Sequence, residues 1–268
     1  MALRRTAFPA LGALLGAALL ATPALAADPV PLAAHRAAYS LKLDKVRGDD
    51  VAAVRGDMSY EVDDSCDGWA TQQRLALHLT NRDGQDIEMV TDYATWESKD
   101  GQRMRFHMRQ TTDTAVTDQV DGEASLDGPG KGGTVRYTQP ADKTVDLPPG
   151  TLFPTAHTAA IIAAAVAGEK FLALPIFDGT GDKGAQDSSI LIQSWNPPGP
   201  APYPPLAELP SGRVHIAFFK RGGGDQSPDY EVGMRYWLNG VADDLSMDFG
   251  TFVMQGKLKE FELRPAHC

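Results

Sequence analysis

Along most of this chain apolar and polar residues alternate one by one, the pattern of strands with one face buried and the other in water. The clearest run is 103–110, where Met104, Phe106 and Met108 alternate with Arg103, Arg105, His107 and Arg109. Comparable runs occupy 35–43, 51–62, 69–80, 87–96, 115–126, 134–138, 171–177, 189–195, 213–220, 230–238, 243–249 and 252–263. Gly56 reads as a bend or bulge inside its run, 63–68 and 128–133 read as turns, and Asn239-Gly240 is a strong hairpin signal. Roughly a dozen strands with no helices between them argue against a parallel α/β fold and for an antiparallel all-β one.

One stretch breaks the alternation. Residues 147–181 read LPPGTLFPTAHTAAIIAAAVAGEKFLALPIFDGTG, and their middle, 155–167, is the one helix the pattern predicts. Thr155 is placed to cap its start and Gly168 its end. The helix is apolar nearly all the way round, so it is expected to be buried. At about 1.5 Å per residue it spans about 20 Å, too short for a bilayer. Phe153, His157, Ile161, Ile162 and Val166 are the side chains expected to pack against the sheet or to face a ligand. The expected architecture is a curved antiparallel sheet wrapped around one hydrophobic helix.

The first 26 residues read as an address. Arg4 and Arg5 precede a short apolar core, and Ala24-Leu25-Ala26 supplies the small residues that signal peptidase needs. Cleavage after Ala26 leaves 27–268 as one β domain, exported to the periplasm. No cysteine lies near the cleavage point to be acylated, and no later segment is long and apolar enough to be an integral membrane span. Loss of the two arginines takes the formal charge from −10 to −12. Such a chain repels nucleic acid and anionic lipid surfaces as general electrostatic partners. Cys66 and Cys268 are the two cysteines. In an oxidising compartment they read as one disulfide, closing a loop of about 200 residues worth about 5 kcal/mol in the chain-entropy model. A reactive thiol is the competing reading, but neither cysteine sits in a C-x-x-C pair or at a predicted helix start.

Catalytic signatures are missing. There is no G-x-S-x-G, H-E-x-x-H or Walker A run, and the glycines 222–224 precede a strand rather than a helix. The six histidines have no partners at ligand spacing, so no metal and no cofactor is expected. Asp178, Asp182 and Asp187 carry a calcium-loop flavour, yet Lys183 stands where the turn wants glycine. His157, in the first turn of the helix, would oppose the dipole if protonated, so a neutral hydrogen-bonded role suits it better than general base. The segment 196–210, NPPGPAPYPPLAELP, reads as an extended surface loop, with partner binding as the sharper alternative.

Four blocks of residues are familiar together. They are HRAAYSLKL (35–43), GDMSYEVDDSCDGW (56–69), GTLFPTAHT (150–158) continuing through Gly168-Glu169 to Phe177-Asp178-Gly179, and YWLNGVADDLSMDFGTFVMQGKLKEFEL (236–263), followed by Cys268. In this order they resemble the EipB family of exported Gram-negative cell-envelope-integrity proteins. The resemblance implies a β-spiral, a long antiparallel sheet curled like a half-barrel around a helix and closed by a disulfide. It also implies a role in the cell envelope without an established catalytic activity. The expected function is a non-enzymatic periplasmic factor that binds an envelope protein, lipoprotein or lipid. The alternatives are a lipid or lipoprotein carrier of Lol-like half-barrel type, and an envelope-directed hydrolase.

Overall fold

The structure, a computed structural model, describes residues 29–222 and 227–265. The proposed signal segment 1–26 and Cys268 lie outside the described residues. The first half of the chain is a run of hairpins: β1 (His35–Val46), β2 (Val51–Asp64), β3 (Gly68–Asn81), β4 (Asp86–Ser98), β5 (Arg103–Thr112), β6 (Ala115–Leu126), β7 (Gly133–Gln139) and β8 (Lys143–Leu147). Helix α1 (Pro154–Val166) follows, then β9 (Phe171–Ile176), β10 (Gln186–Ile192), a short helix α2 (Pro204–Ala207), β11 (Ser211–Lys220), β12 (Tyr230–Trp237), β13 (Ala242–Asp248) and β14 (Phe252–Leu263). All fourteen strands lie in one sheet, ordered β8 to β1 and then β14 down to β9. Every described pair is antiparallel.

This order has a consequence for the helix. The chain's two halves meet where β1 pairs with β14, so the free edges are β8 and β9. Those two edges are consecutive in the chain, and α1 joins them. The sheet is curled but not closed between β8 and β9: among the described residues a parallel bridge from Leu152 to Ile176 links the approach to α1 with β9. Curling gives the sheet an inner face, and alternation sends the apolar residues there. On β5, Met104, Phe106 and Met108 are buried and the residues between them exposed.

The interior holds two cores. The larger packs Tyr39, Leu41 and Leu77 from one wing against Ile190, Ile216 and Met254 from the other, with Ile161, Ile162 and Ala165 of α1 between them. The smaller lies under β5–β8, where Phe106, Tyr137, Phe177 and Phe153 meet edge to face at centroid distances of 5.2–6.4 Å. Gly179 shows how close this packing is. It takes φ +73°, and a Cβ there would sit 2.6 Å from the Phe106 ring.

The structure departs from the sequence expectations at several points. Gly56 makes no bulge: it stays in register between Leu41 and Leu77, and a Cβ would stand 2.4 Å from the Ala76 carbonyl oxygen. Its role is close approach. Strand β8 goes unseen in the pattern because it has only five residues. The proline-rich segment is not simply extended, since it forms α2 and buries Leu206 completely on the outer face of the sheet against Trp237 and Val241. Helix α1 runs one residue earlier than expected, has no side-chain N-cap, and is not buried all round. Val166 is 57% exposed, whereas Ile161 and Ile162 are fully buried. The last residue of a helix that exits the interior meets water whatever its hydropathy.

This asymmetry makes a test. Ile161→Ala should lose about 2–5 kcal/mol in urea unfolding by opening a cavity between the two wings. Val166→Ala should stay within about 0.5 kcal/mol of the parent. Equal losses would contradict the placement of α1.

Candidate functional site

The curled sheet does not fill its interior. A cavity of about 320 Å³ opens between the two wings beside the first turn of α1. Tyr39, Met58 and Tyr60 line one wall, and Met234, Tyr236 and Leu245 the other. Pro154, Thr155 and Thr158 supply the helix side, while Trp69, Gln73 and Asn239 supply polar or amphipathic groups. Most of the wall is hydrocarbon, broken by a few hydroxyl and amide groups, which is the usual make-up of a small-ligand site.

The polar groups at the wall are fixed. The Tyr39 hydroxyl donates to the Ala242 carbonyl at 2.7 Å, and the Tyr236 hydroxyl lies 3.5 Å from the Thr158 hydroxyl. Burial pushes both phenols above the ordinary tyrosine range, and that of Tyr60 as well, so all three are neutral donors at physiological pH. His35, also at the wall, is 3% exposed, and burial lowers its pKa; its Nδ1 lies 2.8 Å from the Ala33 carbonyl oxygen.

Behind the helix side of the cavity stands a buried acid. Glu97, near the end of β4, is 2% exposed, and its two carboxylate oxygens accept the backbone N–H groups of Thr155 at 2.7 Å and Ala156 at 2.9 Å. These are orphan donors of the first helical turn, and the positive end of the helix dipole faces the carboxylate. A strand thus provides the cap that the helix's own sequence lacks. Burial nevertheless pushes the Glu97 pKa up to about 7, against the two N–H donors that favour the charged form. Alternation carries the signal for this residue. Tyr93, Thr95 and Glu97 share one face of β4, so the carboxyl is committed to the interior just past the strand end that the pattern predicts.

The side chains singled out from the sequence do not converge on the cavity. Phe153 is fully buried in the smaller core, and Ile161 and Ile162 in the larger. His157 is buried with Nε2 2.9 Å from the Ser188 hydroxyl of β10, which itself donates to the Leu174 carbonyl of β9 at 2.7 Å. Burial lowers the His157 pKa to about 4, so it is neutral and ties the helix to the second wing. Val166 faces solvent. The helix touches the cavity through Pro154, Thr155 and Thr158 instead.

Among the described residues no group of three or more His, Cys, Asp or Glu is placed to hold a metal ion. Asp178 caps its own turn by accepting from the Thr180 N–H and hydroxyl, Asp182 pairs with Lys143 at 2.6 Å, and Asp187 pairs with Arg221. Cys66 sits in the β2–β3 turn at φ +68°, with its N–H donating to Asp64 at 3.0 Å. No described cysteine is free. Among the described residues no helix is long and apolar enough to cross a membrane.

Three comparisons bear on this arrangement. The EipB-like family model matches residues 26–265. The cell envelope integrity protein EipB of Brucella abortus (strain 2308) is 32% identical over 249 residues, spanning 90% of this chain and 87% of that one. A crystal structure of a β-barrel-like protein of a domain of unknown function from Brucella abortus superposes with a TM-score of 0.79 at 28% identity, covering 88% of this chain and 100% of that one.

Glu97 generates a pH prediction. Its folded-state pKa of about 7 lies above its ordinary 4.5, so the folded protein binds the extra proton. The resulting stability is fully present below about pH 4.5 and is lost as pH rises through about 7, an effect on the order of 3 kcal/mol. Thermal unfolding should therefore shift to lower temperature between about pH 5 and pH 8, and Glu97→Gln should flatten that slope. An unchanged slope in the variant would assign the effect elsewhere.

Proposed function

The chain belongs to the EipB-like family, and from that premise we propose that it is a periplasmic factor supporting cell-envelope integrity, which acts by binding and not by catalysis. The ligand is an apolar segment of an envelope component, a lipid or the acyl chain of a lipoprotein, held in the cavity beside the first turn of α1. The supporting observation is that cavity itself: about 320 Å³, walled by the inner faces of both wings, mostly apolar, with neutral tyrosine hydroxyls to orient a polar end. The relative named for cell envelope integrity supports the wider role. The buried ionisable groups also have structural partners: Glu97 holds a helix end and His157 joins the helix to β10. Exchange of the ligand through the open side of the curl would make the protein a carrier, by analogy with half-barrel carriers.

The same reading includes a disulfide from Cys66 to Cys268. Cys66 lies in the turn between β2 and β3, and β14 runs beside β1, the neighbour of β2. A bond from the chain end to that turn would fasten the seam where the two halves of the sheet meet. Without reductant, thiol titration of the unfolded mature protein should find no free thiol, and Cys66→Ser should cost about 2–5 kcal/mol. Two free thiols in the unreduced protein would remove the bond from the account.

For the ligand, a fluorescent fatty acyl probe should bind the purified protein saturably. Met234→Trp, which places an indole in the cavity, should abolish binding while the protein stays folded by circular dichroism. Binding that survives this filling would remove the cavity from the account. Deletion of the gene should sensitise cells to detergents and cell-wall antibiotics, and the M234W gene should fail to restore resistance. Unchanged sensitivity on deletion would end the envelope role itself.

A further inference from the structure

The outer face of the sheet carries an unusual arrangement of arginines. Acids outnumber bases in this chain, and most described arginines have found a carboxylate, as in Arg47–Asp248, Arg74–Asp92 and Arg235–Asp243. Among the described residues Arg36, Arg55, Arg103, Arg105, Arg109 and Arg136 have no ion pair. The last four share the outer face of β5–β7. Register aligns them in rows across the strands. Trp96 of β4 stands opposite Arg105 of β5, which stands opposite Glu123 of β6, which stands opposite Arg136 of β7. In the next row Arg103 faces Ser125, and Ser125 faces Thr134. Glu123 is flanked by two arginines and forms an ion pair with neither. Together these residues and Asp67 line a depression of about 490 Å³.

The floor of this depression is built rather than loose. The Trp96 ring lies against Gly68, where a Cβ would come within 2.5 Å of the indole, and its N–H donates to the Ser65 hydroxyl at 3.2 Å. The Arg105 guanidinium sits 4.8 Å and that of Arg103 5.7 Å from the Trp96 ring centroid. An indole fixed in this way orients the two guanidinium groups at little entropic cost. Arg103 and Arg105 are roughly 7 Å apart along the strand, and Arg136 is roughly 10 Å from Arg105 across two strands.

This chemistry selects a class of ligand. Guanidinium forks match carboxylate and phosphate groups, whereas the Ser125 and Thr134 hydroxyls and the Glu123 and Asp67 carboxylates match sugar hydroxyls. A flat anionic membrane would favour a face of one sign, whereas this depression mixes guanidinium groups with the Glu123 and Asp67 carboxylates. Nucleic acid would want an unbroken basic track along its phosphates, and the Glu123 and Asp67 carboxylates interrupt this one. We infer that the outer face of β4–β7 binds an anionic glycan, with Arg103, Arg105 and Arg136 on its charged groups and Glu123 on its hydroxyls. This site is on the opposite face of the sheet from the cavity and stands whether or not the cavity holds a ligand.

Affinity electrophoresis of the mature protein tests it, with polygalacturonate as a carboxylate glycan, phosphomannan as a phosphate glycan and dextran as the neutral control. At least one anionic glycan should retard the protein, dextran should not, and the retardation should weaken as salt is added. The double variant R105A/R136A should bind at least 10-fold more weakly. Because both side chains are exposed, its unfolding midpoint should match the parent's. Failure of both anionic glycans to retard the protein overturns the inference, and so does equal retardation of the variant. Sedimentation with phosphatidylglycerol vesicles in the absence of glycan binding would assign the arginines to a membrane and overturn it as well.

Discussion

A sheet of fourteen strands with one apolar face must hide that face, and among the described residues α1, with thirteen residues, is the one long helix there to help. The sheet therefore curls until its two wings pack on each other, and the helix fills what they cannot reach. Connectivity makes this arrangement specific. Helix α1 joins β8 to β9, the two free edges of the sheet, and its apolar Ile161, Ile162 and Ala165 draw it through the interior of the curl. Its entry through 148–153 and exit through 167–170 also limit how far the edges can separate. The helix is held in rotation by two polar ties at its first turn: the Glu97 carboxylate on its free N–H groups from one wing, and His157 on Ser188 from the other. A buried carboxylate is costly unless hydrogen-bonded, and a buried imidazole avoids the cost by staying neutral. Each tie is strong because the alternative is an unsatisfied buried group.

Much of this architecture was legible in the sequence, because period-2 alternation reports directly on a one-sided sheet. The faces of β1, β3 and β5 follow from it, as does the isolation of α1 between long runs of strands. The apolar helix among strands already implied a curved sheet wrapped around it, and the resemblance to the EipB family added the β-spiral. The misses have local causes. Strand β8 is too short to show a period, and Gly56 was open to reading as a bulge because a glycine needed for close approach looks the same in one dimension. Val166 and Ile162 are both β-branched aliphatics of one helix. Only their distance from its end separates an exposed residue from a buried one.

The cavity was less legible than the fold, for a physical reason. Its wall is assembled from β1–β3, β12 and β13 and the first turn of α1, segments up to about 200 residues apart, and empty space leaves no mark on composition. The aliphatic residues that stand out in the helix fill the interior; those that border the cavity are the plainer Pro154, Thr155 and Thr158. Glu97 was within reach, since alternation alone assigns its carboxyl to the inside. A charged residue on an apolar face points to a buried partner, and here the partner is the start of the helix.

The inner and outer faces of the same sheet thus carry different chemistry, and the alternation that builds the fold also keeps the two apart. On β5 the residues facing in are Met104, Phe106 and Met108, while those facing out are Arg103, Arg105, His107 and Arg109. Shifting the register by one residue would exchange the two sets, burying four basic groups and exposing the aromatic core. The register is therefore strongly specified, and specifying it for stability also fixes the outward row of guanidinium groups. An outer surface that only needed to be soluble could have used any polar residues in any order. In an acidic chain, arginines without carboxylate partners, aligned across three strands and braced on a tryptophan, are more order than solubility requires.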